Sequence, residues 1–402
     1  MTLTRRESLS ALMAAATLVA APGRGRAQTQ DIVVGVPNSL TGGFGEVGQR
    51  YSWGVLIALD QINREGGIRA LGGAKIKPIV ADTTTENPAQ AASVARRMLD
   101  EDRAIALCGA AASAMTLAVQ VEAEKSRVPL ITSSYADQLV KRGMKYTFKL
   151  TAPGSAIWNF AMDSLVDMMK AEGQAPKSCG IFMGSDAVSM AVSKALPEEA
   201  KRIGLPVVAH VDFQGNLTDP SVVVTPILQN RPETIFLSSF LNDAVLIIRT
   251  LRGLGIKTPI AAAGGISTDS AGKTLGPAAD RIFMPWSWCW DMKAPGNSEL
   301  NALYKAAHPD APYPCNNEQL GIGYASGLVL RQALEKAAST DGTKLRDTLS
   351  ATNFTGLTLP STEAKFDETG LNTKATMILT EWSGGAAHTV WPQAQQAMKP
   401  VL

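Results

Sequence analysis

Short apolar runs alternate with amphipathic stretches along the chain from Asp31 onward. The first four runs have about the length of an ordinary strand, ~5 to 6 residues; they are DIVVGV, KIKPIVAD, AIALCG and VPLITSS. Between the first two, apolar side chains recur at three- and four-residue steps, as on the inner face of a helix: Val47, Tyr51, Val55, Ala58 and Ile62. The alternation predicts an α/β fold with a parallel sheet and crossover helices.

A second, similar unit follows YTFKLTAPGS. Its predicted elements are a helix over 155–170, strand SCGIFMG, a helix over 188–203, strand PVVAHVD, a helix interrupted by Pro226, and strands ETIFLSS and TPIAAAG. Beyond Phe283 come MPWSWCWD, a long helix around 318–338 and a β-rich tail. In the first unit, NPAQAASVARRML predicts a helix with Asn87 as N-cap and Pro88 at its first position. Two such units predict two lobes.

The first 27 residues have the features of an export signal. Arg5 and Arg6 precede a short apolar core, and small residues allow cleavage after Ala27. TRRESL resembles a twin-arginine signal, although Ser8 stands where that motif prefers a bulky apolar residue, so the general secretory route stays open. No later apolar run approaches the ~20 residues that span a bilayer. We therefore expect a mature protein free in an exported compartment.

Composition adds limits on size and partners. The 402 residues suit two domains of roughly 150 to 200 residues each. With 45% apolar residues, 18% charged residues and a net charge of +2, the chain is typical of globular proteins. Removing the signal takes four arginines and one glutamate from the 38 basic and 36 acidic residues, so the mature chain has a formal net charge of about −1. Nothing in this balance points to a nucleic acid or a membrane surface.

The four cysteines show no C-x-x-C spacing. Cys108 and Cys179 sit in apolar runs and are predicted to be buried free thiols. Export permits disulfides, so Cys289 with Cys315 is the one pair worth testing.

The glycines of TGGFGEVGQ match the spacing of a dinucleotide fingerprint. However, Pro37 to Gly42 separate the strand end, Val36, from Gly43. In nucleotide sites the first glycine follows the strand directly, and an acidic residue stands ~20 positions later; here that place falls near Ile68, in a turn without a carboxylate. We therefore expect no nucleotide, and a flexible loop that carries Phe44 at the rim of the first lobe.

Catalytic motifs are equally scarce. The three histidines, His210, His308 and His388, have no metal-type spacing, and neither G-x-S-x-G nor H-E-x-x-H occurs. We expect no metal, cofactor or catalysis, although a Ser, a His and an Asp meeting in space would allow a hydrolase.

Polar loops at predicted strand ends are the better candidates for a site, since open α/β sheets bind ligands there. Ser113 follows one strand and is a candidate N-cap that leaves backbone N–H groups for a carboxylate. Ser133, Ser134 and Tyr135 follow the next strand. In MPWSWCWD, a strand would put Trp286, Trp288 and Trp290 on one face; packed core is the favoured interpretation, and an apolar wall for a ligand is the alternative.

The order of these segments resembles the type I periplasmic solute-binding proteins of ABC transporters, in the leucine/isoleucine/valine-binding branch. The matching pieces are VGVPNSLTGGFGEVGQ, ALDQINREGGI, DTTTENPAQAASVARRML, LCGAAASAMT, VPLITSSYADQL and FDETGLNTKA. The resemblance covers about 32–392. It implies two Rossmann-like lobes joined by three crossings, with 31–150 and 284–356 in lobe one and 151–283 and 357–402 in lobe two.

The resemblance also implies ligand-binding residues. Ser113, with Ala112 beside it, stands where the family holds a carboxylate, and Ser134, Tyr135 and Ala136 stand where it offers backbone groups and a hydroxyl. Phe240 matches a cleft aromatic residue of lobe two. Independently of the resemblance, Phe44 on the rim loop and Trp288 in the alternative apolar wall complete the predicted site.

Two departures from the family bear on the solute. Gly264 and Gly265 replace the acidic partner of an ammonium, and Val188 replaces a tyrosine. A buried ammonium without a carboxylate is costly, so the solute is predicted to lack an α-amino group unless Asp186 or Asp269 serves instead.

The function expected from the resemblance is capture of a small solute, an organic acid or an amino acid, for a membrane permease of an ABC importer. We expect a periplasmic monomer without a nucleic-acid partner. The alternatives are a sensor for a membrane signalling partner and a periplasmic hydrolase.

Overall fold

The computed structural model describes residues 31–185 and 187–402, and within these it leaves out the side chains of Ala187, Val188 and Ala191. The predicted signal at 1–27 and Asp186 lie outside the described residues. None of the described helices is long and apolar enough to cross a membrane.

The first sheet has five parallel strands in the order β2-β1-β3-β4-β5. Its strands are β1 (Ile32–Asn38), β2 (Ile76–Asp82), β3 (Ala106–Cys108), β4 (Leu130–Thr132) and β5 (Thr147–Lys149). All four predicted strands of this unit are confirmed, since buried apolar side chains fill β1, β3 and β4.

The second sheet has seven strands in the order β14-β13-β10-β9-β8-β6-β7. Its strands are β6 (Cys179–Met183), β7 (Val207–Asp212), β8 (Thr234–Ser239), β9 (Ile260–Gly264), β10 (Ile282–Trp286), β13 (Ile378–Ser383) and β14 (Ala386–Trp391). Strands β6 to β10 are parallel, whereas β13 and β14 add an antiparallel edge. A small separate hairpin joins β11 (Asn353–Thr355) to β12 (Glu363–Lys365).

Twelve described α-helices connect and cover the sheets. They are α1 (Gly45–Arg64), α2 (Pro88–Asp100), α3 (Ser113–Ser126), α4 (Gly154–Ala171), α5 (Ala187–Ser193), α6 (Leu196–Arg202), α7 (Ser221–Asn230), α8 (Leu241–Gly253), α9 (Asp269–Leu275), α10 (Asn297–Ala307), α11 (Gln319–Ala337) and α12 (Gly342–Ala351). Asn87 caps α2 by accepting from the N–H groups of Ala89 and Gln90, as predicted.

Two predicted elements differ from the structure. The helix predicted over 188–203 is wrong as one unit: it divides into α5 and α6, because Pro197 at the start of α6 has no N–H to continue the helix from α5. Strand β10 ends at Trp286, so Trp288 and Trp290 do not continue its alternating faces.

The chain passes between the two sheets three times: after β5, after β10 and between β12 and β13. The predicted lobe boundary at 284 falls inside β10, a strand of the second sheet. The predicted boundary at 357 assigns Leu357 and Phe366 to lobe two, but both side chains are buried in the same core as β1 of the first sheet. The second and third crossings thus come later in the chain than the proposed bounds.

Candidate functional site

The glycine-rich segment is a turn that runs directly into α1. Gly45 and Gly48 belong to the helix, so the prediction that they shape a flexible loop is wrong. A Cβ on Gly48 would lie 1.9 Å from the carbonyl oxygen of Ser39, so this position needs glycine for close packing. Phe44 precedes the helix, and 42% of its surface is exposed.

Ser113 and Ser134 meet at the carboxyl ends of β3 and β4. Their Oγ atoms are 3.1 Å apart. Ser113 is the first residue of α3, and Ala112 occupies the N-cap position without a side-chain hydrogen bond. The expectation that Ser113 caps the helix is therefore wrong, and within the described residues no side chain is hydrogen-bonded to the N–H groups of the first turn. We call residues 112–113 and 133–136 the anchor loops.

Tyr135 points its hydroxyl toward Glu318, at the start of α11. The hydroxyl donates to the Glu318 carboxylate at 2.9 Å and lies 3.1 Å from the Ser287 Oγ. The Ser287 N–H donates to Glu318 Oε2 at 2.5 Å. Burial raises the pKa of Glu318 to about 7. Tyr135 thus ties an anchor loop to the second crossing.

Lys149 is a second buried charge behind the anchor loops. Its Nζ donates to the carbonyl oxygens of Thr151 and Ala152, at 3.3 and 2.5 Å, and lies 5.8 Å from the centre of the Tyr135 ring. Burial lowers the pKa of Lys149 to about 7. Sequence reasoning missed Lys149 and Glu318; the one available signal was a charged residue ending an apolar strand in YTFKL.

Two glycines, Gly264 and Gly265, stand where β9 ends and the following loop begins. Gly264 has φ +83°, and a Cβ there would lie 2.8 Å from the Ser239 carbonyl oxygen. A Cβ on Gly265 would lie 2.2 Å from the Leu241 amide nitrogen. Phe240, at the end of the neighbouring strand β8, is 45% exposed. We call residues 264–268 the glycine loop.

Asp269 is already occupied by protein groups. Its Oδ1 accepts from the Asn316 N–H at 2.8 Å, and its Oδ2 accepts from Arg50 Nε and Nη2 at 3.2 and 3.1 Å. It is therefore no free partner for an ammonium. Asp186 and the Val188 side chain lie outside the described residues.

Trp286 and Trp288 are buried, which confirms the packed-core interpretation for both. Trp288 donates through Nε1 to Asn297 and packs against Gly321, whose Cβ would clash with the indole. Because Trp288 is 0% exposed, it has no surface available to a solute in this conformation.

All four cysteines are buried free thiols. This confirms the prediction for Cys108 and Cys179 and shows no bond between Cys289 and Cys315. Instead, Cys289 Sγ donates to the Ala387 carbonyl oxygen, and Cys315 Sγ to that of Asn317.

A serine, a histidine and an aspartate do meet at the edge strand β7. Ser193 Oγ is 2.9 Å from His210 Nε2 and donates to Asp212 Oδ1 at 2.5 Å. The carboxylate thus contacts the serine rather than the far ring nitrogen, unlike a catalytic triad. Across the described part of the chain, no three His, Cys, Asp or Glu side chains are placed to hold a metal ion.

Two α/β lobes with ligand-type loops at the carboxyl ends of their strands define a two-lobed binding fold. Residues 31–387 match the family model described as periplasmic binding protein. The chain belongs to this family.

Among the relatives, Leu/Ile/Val-binding protein homolog 8 of Brucella abortus is 26% identical over 382 residues, covering 90% of this chain and 91% of its own. Two solved structures share the fold. LivJ of Streptococcus pneumoniae, in complex with isoleucine, is 22% identical and covers 92% and 100% of the two chains, with a TM-score of 0.76. A solute-binding protein of R. palustris, in complex with benzoate, is 17% identical. The match covers 90% of this chain and 95% of that protein, with a TM-score of 0.71.

Proposed function

We propose that this chain is the exported solute-binding component of an ABC importer, and that it captures a small carboxylic acid without an α-amino group between its two lobes. The observation that carries the proposal is the contrast between the anchor loops, which offer donors for an anion, and the glycine loop, which offers no carboxylate for a cation.

The anchor loops supply the donors for a carboxylate. The hydroxyls of Ser113 and Ser134 lie together, and the N-cap residue of α3, Ala112, makes no side-chain hydrogen bond to the first turn. Uncapped N–H groups at a helix N-terminus favour negative charge. A carboxylate placed here accepts from backbone and hydroxyl donors at once.

In the described part of the opposite side, the glycine loop and Asp269 supply no free carboxylate for an ammonium. The left-handed backbone at Gly264 would be strained by any side chain, and the close packing at Gly265 leaves no room for one. Asp269, the nearest described carboxylate along the chain, is held by Arg50 and Asn316. A solute ammonium buried against these described residues would stay unpaired, which is costly.

The ligands of the two structural neighbours agree with this division. Isoleucine and benzoate both carry a carboxylate, and only isoleucine carries an ammonium. Capture of a carboxylate is thus the shared chemistry, and the amino group is the part that differs.

A thermal-shift screen of residues 28–402 with matched pairs of solutes tests the proposal. The pairs are 4-methylpentanoate with leucine and 3-phenylpropanoate with phenylalanine, with the corresponding amides as uncharged controls. A solute at 100 times its dissociation constant stabilises the protein by roughly 2.7 kcal/mol. We expect shifts with at least one acid and none with the amino acids or amides. A shift with leucine but not with 4-methylpentanoate would contradict the absence of an ammonium site.

Export and delivery belong to the same proposal. We expect cell fractionation to recover the protein in the periplasm as a monomer that begins at Gln28, since small residues precede that position. The solute-loaded protein should stimulate ATP hydrolysis by its permease complex. A loaded protein that instead engages only a membrane signalling receptor would support the sensor alternative.

A further inference from the structure

A polar contact joins the first helix of one lobe to a helix of the other. Glu46 lies in the first turn of α1, and Asp269 begins α9. Glu46 Oε1 accepts from the Asp269 N–H at 2.7 Å, and Glu46 Oε2 accepts from the Ser270 hydroxyl. One carboxylate of the first lobe thus binds two donors of the second.

Arg50, one turn further along α1, completes the contact. Its guanidinium donates twice to Asp269 and lies 4.4 Å from the Trp53 ring. Side-chain exposure is 7% for Arg50 and 6% for Asp269. Within the described residues, this is the only ion pair that links a helix of the first lobe to a helix of the second.

The contact adjoins both faces of the proposed site. Glu46 follows Phe44 by two positions, and Asp269 follows the glycine loop directly. All four carboxylate oxygens of Glu46 and Asp269 are engaged by protein donors. Each of these oxygens thus already holds a protein donor, so neither carboxylate is free for a solute.

We propose that Glu46 and Arg50 form a latch with Asp269 and Ser270, which holds the lobes closed and sets the affinity for the solute without touching it. The effect on affinity rests on the proposed function, because the latch can change binding only if the lobes close around a solute. Opening of the lobes by hinge motion would separate α1 from α9 and break every bond of the latch. A ligand that binds the closed form more tightly gains from any contact made only in that form.

Two variants test the latch at its solvent side, where folding is least at risk. Glu46 is half-buried and Ser270 is exposed. Glu46→Ala and Ser270→Ala are each expected to weaken binding of the best solute about fivefold to tenfold and to increase the radius of gyration in small-angle X-ray scattering. The two effects on affinity should be non-additive in the double variant, since the residues share one bond.

Asp60→Asn is the matched control. Asp60 pairs with Arg64 on the same helix, but both side chains are exposed and both belong to the first lobe. This variant should leave affinity and radius of gyration unchanged.

Two results would overturn the latch. In the first, Glu46→Ala and Ser270→Ala keep the affinity and the radius of gyration of the wild-type protein. In the second, these two quantities are unchanged but the melting temperature falls, which would mean that the contact only stabilises the fold. If no carboxylic acid binds the wild-type protein, the proposed function fails, and the unliganded radius of gyration decides the latch alone. A wild-type protein more compact than Glu46→Ala then supports the latch, and equal values reject it.

Discussion

The anchor loops and the glycine loop lie at equivalent strand ends of the two sheets, yet they are built in opposite ways. The anchor loops bring Ser113 and Ser134 together and are tied through Tyr135 to a buried carboxylate, Glu318. The glycine loop has no side chain at 264 or 265, and its neighbour Phe240 is exposed.

This difference separates two tasks of a binding cleft. Polar groups that are already hydrogen-bonded in place can receive a charged group without reorganising. An apolar surface without fixed donors accepts varied solute bodies, and its contribution grows with the apolar area that it covers. In the proposed function, the first lobe recognises the carboxylate and the second lobe selects by shape.

The largest expected effect is the pH dependence that Glu318 contributes on the anchor side. Burial raises the pKa of Glu318 to about 7 from the ordinary 4.5. Between these pH values the unfolded chain releases this proton while the folded protein keeps it, so the free energy of unfolding falls as pH rises. The loss attributable to Glu318 is about 3 kcal/mol. Urea denaturation of wild type and Glu318→Gln between pH 4 and 7.5 measures the difference.

Burial also raises the pKa of Glu381 to about 7. The contribution of Glu318 is therefore measured as the difference in unfolding free energy between wild type and Glu318→Gln at each pH. Relative to Glu318→Gln, wild type should lose stability steadily as pH rises. Glu101→Gln, at an exposed position, should follow the wild-type curve. Parallel curves for wild type and Glu318→Gln would show that the buried carboxyl does not store this free energy.

The next effect concerns the packing of the glycine loop. In Gly265→Ala, the new Cβ would lie 2.2 Å from the Leu241 amide nitrogen, so the backbone must move. Such overpacking costs roughly 2 kcal/mol of unfolding free energy. Gly253→Ala in α8 is the control, because no atom approaches its Cβ within 4 Å. Equal stability of the two variants in urea denaturation would show that the loop has room for a side chain.

Much of this comparison was visible in the sequence. The apolar periodicity predicted both sheets. The positions of Ser113 and Ser134 after neighbouring predicted strands placed both at one edge of the sheet, because the carboxyl ends of parallel strands meet there. The cap was misplaced by one residue, since α3 starts at Ser113 and either assignment fits the same pattern. Helix boundaries depend on backbone angles that a periodic pattern leaves open.

The supporting contacts were not visible, because they join distant parts of the chain. Glu318 lies 183 residues from Tyr135, and Asp269 lies 219 residues from Arg50. No local spacing encodes such pairs, which form only when elements far apart in the chain pack together. Asp269 in particular was a candidate ammonium partner until its contacts with Arg50 and Asn316 were known.

A smaller effect tests the anchor loops directly. Ser113→Ala removes one hydroxyl from the pair with Ser134 and should weaken binding of the best carboxylic acid about tenfold, or ~1.4 kcal/mol, as for one hydrogen bond to a charged group. Isothermal titration calorimetry measures the change. Ser93→Ala, at an exposed position of α2, is the control. Equal affinities for Ser113→Ala and wild type would remove this hydroxyl from the site.

The smallest effect tests the shape-selecting side. Phe240 is 45% exposed, so Phe240→Ala should change the free energy of unfolding by no more than about 0.5 kcal/mol. Its effect on binding should depend on the solute, because the ring contributes through apolar contact area. We expect a loss of affinity of roughly threefold to tenfold for acids with long apolar chains and almost none for acetate-sized acids, measured by calorimetry over a series of chain lengths.

Val222→Ala, at an exposed apolar position of α7, controls for lost surface hydrophobicity. A loss that is the same for every chain length would mean that Phe240 supports the closed form rather than contacting the solute, and the division of tasks between the two lobes would then be wrong.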